Sequence, residues 1–414
     1  FGFWFMCGIA GYISDKLSQE TGYKMAMAMK HRGPSHQGAV VFQQQHCVLA
    51  HARLSIIDLS EGANQPMQFS NLAIVFNGEV YNFREIRKEL VALGHRFELD
   101  SDTEVILHAY SEWGVKCVDR FIGMFAFAVL DKERNELVIV RDRAGVKPLY
   151  YYVEGNTFMF ASELKAFYPH PAFRRKINKK ALGLYFKYGY VPAPYAIFEN
   201  THKLRQGHYL IYHLDTHTYD SHQYWNVMDF YHRPTLDISY DEAKVELERI
   251  LESAFNYRMV ADVPVGVFLS GGYDSTALTA ILQKDRTEKL KTFTIGFPTG
   301  NNEAPIAREI ARRLGTDHTE AMCSEAECKK IIPTLPFFYD EPFADNSAVP
   351  TILVSQLARK KVTVALSADA GDETFAGYNR YAGLAGIMKY LHAMRHLGGK
   401  RLADVVEAMC KTVN

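Results

Sequence analysis

The chain has 414 residues, 48% hydrophobic and 23% charged, and its 47 Lys plus Arg equal its 47 Asp plus Glu. That length suits two domains with full cores. The balanced charge leaves no global field to draw the protein to nucleic acid or an anionic membrane, and the 16 scattered His lack the spacing of a zinc site.

The opening FGFWF has neither a basic n-region nor a useful h-region, so no signal peptide is expected. The longest later apolar run, FIGMFAFAVL (121–130), is far below the roughly 18–20 residues that span a bilayer and reads as a buried strand. Six dispersed cysteines make no disulfide framework, and a soluble, cytoplasmic protein is expected. Cys323 and Cys328 lack CxxC spacing and read as inert thiols.

From 7 to 168 the chain reads as short β-rich runs: CGIAGYI, CVLAHARLSIID, LAIVFNGEVYN, MFAFAVLD, ELVIVRDR, LYYYV and TFMFAS. Helices interrupt them at 83–94 and 102–114, the second opened by Ser101 or Asp102 as N-cap. Sheets packed together with helices outside are predicted. Aromatic- and proline-rich residues 169–236 read as the end of this domain and a connector. At Tyr240 a helix begins that places Ala243, Leu247, Ile250, Leu251 and Ala254 on one face. Apolar strands then alternate with helices, the pattern of a parallel α/β sheet.

Three stretches carry chemistry. VFLSGGYDST (267–276) is a strand, a small-residue turn and a helix, where Ser270, Gly271 and Gly272 let backbone N–H groups approach an oxyanion. A plain strand-to-helix turn fits Gly-Gly alone, but SGGxDS resembles the pyrophosphate loop of ATP pyrophosphatases. Asp274 would repel phosphate unless a magnesium ion bridged the two. LSADAGDETFAGYNRY (366–381) follows the strand VTVAL and puts Asp369, Asp372 and Glu373 at a strand C-terminal end, where open α/β sheets place ligands. Cys7 alone is a weak signal. Were Met6 removed, its own α-amine would stand beside the thiol as a base.

MCGIAG (6–11), HRGP (31–34), HARLSIID (51–58), NQP (64–66), NGEVYN (77–82), SDTEVI (101–106), RDRAGVKPLYY (141–151) and FASELKA (160–166) resemble the glutaminase domain of class II amidotransferases. With SGGYDST, DEPFAD (340–345) and SADAGDETFAGYNRY (367–381), their order is similar to that of glutamine-dependent asparagine synthetases. The resemblance implies an α+β then α/β chain: an N-terminal αββα (Ntn hydrolase) glutaminase sandwich, then a parallel-sheet synthetase domain of the ATP-pyrophosphatase type. The expected divisions are a leader 1–6 absent from the mature protein, an amidotransferase domain 7–214, a connector 215–236 and an ATP-binding domain 237–414.

Carried over, Cys7 attacks the glutamine side-chain amide, and Asn77 with the Gly78 N–H forms the oxyanion hole. Arg53 grips the α-carboxylate with its planar fork, Glu79 and Asp102 hold the α-ammonium, and Leu54, Ser55, Ile56 and Ile57 complete the glutamine site. ATP falls to Leu269, Ser270, Gly271, Gly272, Asp274, Ser275, Ile295, Ser367 and Ala368. Asp274 and Asp372 are the implied Mg2+ ligands, and Asp369 and Tyr378 stand near the acyl acceptor. The implied substrates are L-glutamine, L-aspartate and ATP, with β-aspartyl-AMP as intermediate and no nucleic acid or membrane partner. A homodimer stays open, as do another carboxylate acceptor such as a sugar acid and a glutaminase-only or non-catalytic role. Ammonia would pass through an apolar tunnel, with segments 121–130 and 185–198 expected to help line it.

The chain departs from the family in three ways, the mildest being Tyr273 and Thr276 in the phosphate loop, where an aliphatic residue and a serine are usual. Ala368, Ala370 and Ala376 stand where relatives usually have glycine, so the acidic turn must use ordinary dihedrals or carry strain. It also ends before a lysine that relatives place further on, so the synthetase half is expected to be incomplete.

Overall fold

The computed structural model describes residues 6–298, 302–381, 383–384 and 386–388. Residues 1–5 and the segment 389–414, which includes Cys410, lie outside the described residues. Two compact units are present: residues 1–271 with 275–367, and residues 272–274 with 368–414.

The larger unit opens with β1 (Gly8–Ile13), α1 (Gln19–Ala28), β2 (His36–Phe42), β3 (Cys47–Arg53), β4 (Met67–Phe69), β5 (Leu72–Val80), α2 (Phe83–Ala92) and α3 (Asp102–Trp113). It continues through β6 (Gly123–Asp131), β7 (Glu136–Arg141), β8 (Tyr150–Glu154), β9 (Thr157–Ala161), α4 (Lys179–Tyr188), β10 (Thr201–Lys203), β11 (His208–His213) and β12 (Thr218–Gln223). These strands form two antiparallel six-stranded sheets, ordered β10-β8-β9-β1-β3-β2 and β12-β11-β7-β6-β5-β4.

Strand periodicity sorts each side chain into one of three apolar layers. Ile9 and Ile13 of β1 meet Ala73 and Val75 of β5 between the sheets, together with Ala126 and Ala128 of β6. The alternate residues Ala10 and Tyr12 face outward onto Met25 and Ala26 of α1. On the other side Ile74 and Phe76 pack against Phe83 and Ile86 of α2 and Val105 and Ile106 of α3. The result is the expected αββα sandwich. Strands buried on both faces explain why their sequences read as continuous apolar runs. Ser101 is the N-cap of α3, accepting from the Thr103 N–H at 3.1 Å.

Residues 218–223, read from sequence as connector, instead pair along the whole of β11 as an edge strand. Every residue of β12 is exposed, so no apolar alternation marked it.

After α5 (Met228–Tyr231) and α6 (Tyr240–Tyr257) come β13 (Val265–Phe268), α7 (Tyr273–Gln283), β14 (Lys291–Gly296), α8 (Ala304–Leu314) and β15 (Asp317–Met322). Next are α9 (Glu325–Ile331), α10 (Leu335–Tyr339), α11 (Ala348–Arg359), β16 (Val364–Leu366) and α12 (Gly371–Phe375). The strands are parallel and ordered β15-β14-β13-β16. The order reverses between β13 and β16, which is where such sheets open a crevice. Helix α6 has the expected register and a Ser239–Glu242 capping box, but none of its residues is fully buried. Among the described residues no helix is long and apolar enough to cross a membrane.

Candidate active site

Cys7 directly precedes β1, and its Sγ lies 3.4 Å from the Leu54 amide nitrogen and 3.5 Å from the Leu54 carbonyl. Burial is the chief reason its thiol is pushed up to about 11, so it stays protonated at neutral pH and needs an adjacent base. Met6 donates its N–H to the Arg32 carbonyl at 3.0 Å, and its Sδ lies 3.4 Å from Lys147 Nζ.

Beside the thiol, β5 supplies Asn77 and Gly78, registered opposite Ala126 and Phe125 of β6. Asn77 is completely buried, yet neither its Nδ2 nor its Oδ1 has a hydrogen-bond partner. Such a group costs about 1–3 kcal/mol per missing bond, which is tolerated where a ligand will supply the partner. Gly78 has φ +150°, and a Cβ there would sit 2.1 Å from the Met124 carbonyl oxygen. Only glycine fits this close approach of β5 to β6.

A small cavity of about 30 Å³ adjoins Cys7, and Arg53, Leu54, Ile56, Ile57, Gly78, Glu79 and Asp102 all line it. Of the sequence-predicted glutamine residues, Ser55 and Asn77 are not in its wall; Ser55 donates its N–H to Ser35 Oγ instead. Arg53 donates through Nη1 to the Ser60 carbonyl at 2.7 Å and to Asn64 Oδ1 at 2.8 Å, and through Nη2 to the Asp58 carbonyl. The fork is therefore held by the loop that closes the cavity. Burial pushes the Asp102 carboxyl up to about 7, and burial together with the neighbouring Asp102 raises Glu79 well above the usual carboxylate range. Two carboxyls that resist ionising await a cation.

A larger cavity of about 210 Å³ begins at Cys7, Asn77 and Lys147 and runs past Met124 and Val260 to Phe268, Val364 and Ser367. It therefore joins the thiol to the C-terminal edge of β13 and β16. Met124 comes from the expected 121–130 segment, but no residue of 185–198 lines the cavity. Those residues pack elsewhere: Val191, Ala196, Ile197 and Phe198 belong to the apolar layer beneath α1.

At the crevice, Ser270 Oγ and Ser275 Oγ are 2.9 Å apart, and the Ser270 N–H also reaches Ser275 Oγ at 3.2 Å. Leu269 donates its N–H to the Phe293 carbonyl, and its own carbonyl accepts from Thr294. Ile295 lies on β14 opposite Ala321, and Ser367 is exposed just after β16.

The smaller unit holds Gly272, Asp274 and the acidic turn. A Cβ on Gly371 would meet Asp274 Oδ2 at 2.1 Å, so the carboxylate rests against bare backbone. Burial, then Asp372 and Glu373, raises the Asp274 carboxyl. Magnesium fits this donor set, because it keeps waters and substrate phosphates and needs only one or two carboxylates. No cluster of three or more metal-ligating side chains exists among the described residues. Tyr378 Oη donates to Glu373 Oε1 at 2.9 Å, and Asp369 is exposed. Ala370 and Ala376 adopt φ of 76° and 56°, so the turn carries the strain that alanine at glycine positions implies, whereas Ala368 does not share it.

Sequence reasoning assigned no role to Arg32, Lys147, Glu163, Lys165 or Asp340, although HRGP, GVKP, FASELKA and DEPFAD were visible motifs. Cys323 and Cys328, expected to be inert thiols, are free, and their sulfurs lie 3.3 Å apart where β15 turns into α9.

Comparison with known proteins bears on this geometry. A glutamine amidotransferase domain matches residues 6–225, and an asparagine synthase domain matches 246–413. A Methanocaldococcus jannaschii protein named putative asparagine synthetase [glutamine-hydrolyzing] 2 is 38% identical over 96% of this chain and 77% of its own length. The chain belongs to the glutamine-hydrolysing asparagine synthetase family. Asparagine synthetase [glutamine-hydrolyzing] 3 of Bacillus subtilis is 34% identical over 90% of this chain, which spans 63% of that relative's length. A B. subtilis glutamine phosphoribosylpyrophosphate amidotransferase structure is matched over 82% of this chain and 94% of its own at 16% identity, with a TM-score of 0.42. Membership of this family of glutamine-dependent ligases accounts for an antiparallel sandwich preceding a parallel sheet.

Proposed function

We propose that the protein makes asparagine from aspartate, ATP and glutamine. The buried Asn77 amide carries the reading: both its polar atoms are unpaired beside the Cys7 thiol, where an oxyanion would form.

With residues 1–6 removed, the freed α-amine of Cys7 takes the thiol proton and Sγ adds to the glutamine amide carbon. Asn77 Nδ2 and the Gly78 N–H hold the resulting oxyanion, a donor whose loss commonly costs about 10²–10³ in rate. Collapse, with the Cys7 α-ammonium passing its proton to the leaving nitrogen, expels ammonia and leaves a thioester, which water cleaves to glutamate. Arg53 orients the α-carboxylate and the Glu79–Asp102 pair the α-ammonium. Ammonia then follows the cavity to the crevice between β13 and β16.

Family likeness assigns ATP to the SGGYDST loop and Ser367–Ala368, and the acceptor to Asp369 and Tyr378. Asp274 and Asp372 would hold Mg2+, which when bound neutralises phosphate charge. The aspartate β-carboxylate displaces pyrophosphate to give an acyl-AMP, and ammonia displaces AMP. The test has two arms: covalent trapping of Cys7 by a glutamine-analogue electrophile, and aspartate-dependent ATP–pyrophosphate exchange by the full-length protein. Trapping without exchange would refute the aspartate step, and exchange supported by another carboxylate but not by aspartate would reassign the acceptor.

A further inference from the structure

The backbone of Cys7 is tied by an unbroken line of charged contacts to the acidic turn at 340–341. Arg32 Nε donates to the Cys7 carbonyl at 3.1 Å, and Arg32 Nη1 donates to Glu163 Oε1 at 3.0 Å. Glu163 Oε2 accepts from Lys165 Nζ at 2.6 Å, and that ammonium also reaches Asp340 Oδ1 at 2.8 Å. A second bond locks the last link, because the Lys165 N–H donates to Asp340 Oδ2 at 3.1 Å. His31 Nε2 adds a contact to Glu163 at 3.1 Å. Alongside, Glu341 pairs with Lys203 and accepts the Ile197 N–H at 3.3 Å.

None of the four relay side chains is more than 11% exposed. Burial pushes the Glu163 carboxyl upward, but its bond from His31 and the charges of Arg32 and Lys165 win and hold it down at about 2. Arg32 and Lys165 offset Glu163 and Asp340, so the line is neutral overall. A buried ion network of this kind is a poor source of net stability, since well-packed apolar residues of similar volume often do as well or better. What it does supply is register. Asp340 has φ +43°, a left-handed conformation that a non-glycine residue adopts only when its surroundings hold it there. The chain runs from this turn into α11, whose Ser355, Ala358 and Arg359 wall the large cavity.

We propose that Asp340, acting through Lys165, Glu163 and Arg32, is a positioning residue for Cys7. The turn at 340–341 thereby sets the backbone of the nucleophile, and glutamine cleavage answers to the state of the synthetase half. This rests on the glutaminase reading above. It concerns a different property, namely that residues more than 150 positions away govern thiol reactivity without touching glutamine.

The experiment is alkylation of Cys7 by 6-diazo-5-oxo-L-norleucine in the full-length protein, with kinact and KI measured separately. Asp340→Asn and Lys165→Met are each expected to lower kinact at least fivefold, the lower end of typical coupling between sites. KI should stay within twofold, because Arg53, Glu79 and Asp102 hold the amino-acid end of the reagent. The double variant should be no slower than the slower single one, and Lys165→Arg should recover kinact to within twofold. Unchanged kinact in both singles, or effects that multiply in the double, overturns the relay while leaving the glutaminase reading intact. An unaltered protein that takes no label refutes that reading and the relay with it. If Asp340→Asn fails to fold, Asp340→Glu carries the same test, since its longer arm displaces Lys165; unchanged kinact there is again decisive.

Discussion

The paired carboxyls of the glutamine pocket make a quantitative demand on pH. Burial lifts Asp102 from the ordinary aspartate value of 3.8 to about 7, roughly three pH units, so ionising it in the empty pocket costs about 4 kcal/mol more than in water. Glu79 is raised too, by burial first and by Asp102 second. Below pH 7 Asp102 therefore stays largely neutral in the empty pocket and binds an ammonium poorly. Productive binding must expel a proton, so each pH unit below about 7 should cost tenfold in kcat/KM for glutamine.

A free Cys7 α-amine would give its own acid limb, with a reference value of about 7.7–8.0. The assay therefore compares glutamine with its analogue lacking the α-amino group, which shares the thiol chemistry but not the ammonium contact. The ratio of the two kcat/KM values should fall about fivefold between pH 7 and pH 6, and Asp102→Asn should lower it at pH 8 and flatten it. A ratio constant from pH 8 to pH 5.5 would refute the reasoning. Stability carries the same sign. A carboxyl whose folded value is raised favours folding below 3.8 and loses that contribution as pH rises through about 7, so the thermal midpoint of ligand-free Asp102→Asn should gain on the unaltered protein from pH 5 to pH 8.

Asn77→Ala should reduce glutamine hydrolysis by about 10²–10³ while sparing synthesis from added ammonia, measured as product in parallel assays. Gly78→Ala forces a Cβ onto the Met124 carbonyl at 2.1 Å and should cost at least ~2 kcal/mol in denaturant titration; a smaller loss would mean that β5 and β6 separate easily. Ala370→Gly and Ala376→Gly relieve left-handed alanines and should each raise stability by up to ~1 kcal/mol, whereas glycine at an ordinary helical position lowers it by a similar amount. Val260→Glu places a charge in the large cavity and should lower asparagine formed per glutamine hydrolysed without slowing hydrolysis.

Seven of the sandwich's twelve strands were legible, most of them because burial on both faces leaves long apolar runs, as in LAIVF of β5 and MFAFAVL of β6. Strand β12 was not, because a fully exposed edge has no burial pattern to print on the sequence. Cys7, Asn77, Gly78, Arg53, Glu79 and Asp102 came from motif likeness, and nothing in their spacing alone says that they converge. The Lys165–Asp340 pair was beyond reach for a plainer reason: 175 positions separate its members, and each charge in isolation reads as surface. The Cys323–Cys328 contact shows a converse limit, since a spacing that matches no motif still closes when a strand ends in a tight turn.

The lining of the large cavity bears on what can travel through it. Its charged residues are Arg32, Lys147, Arg258 and Arg359, opposed by Glu79 alone, and burial keeps Glu79 disposed to stay neutral. An ammonium ion entering this space would meet like charge with little water to screen it, whereas neutral ammonia meets no such barrier. Ammonia needs its lone pair at the far end, and a cationic wall penalises the one form that lacks it. On the proposed ammonia path these cations favour the neutral, reactive form of the product.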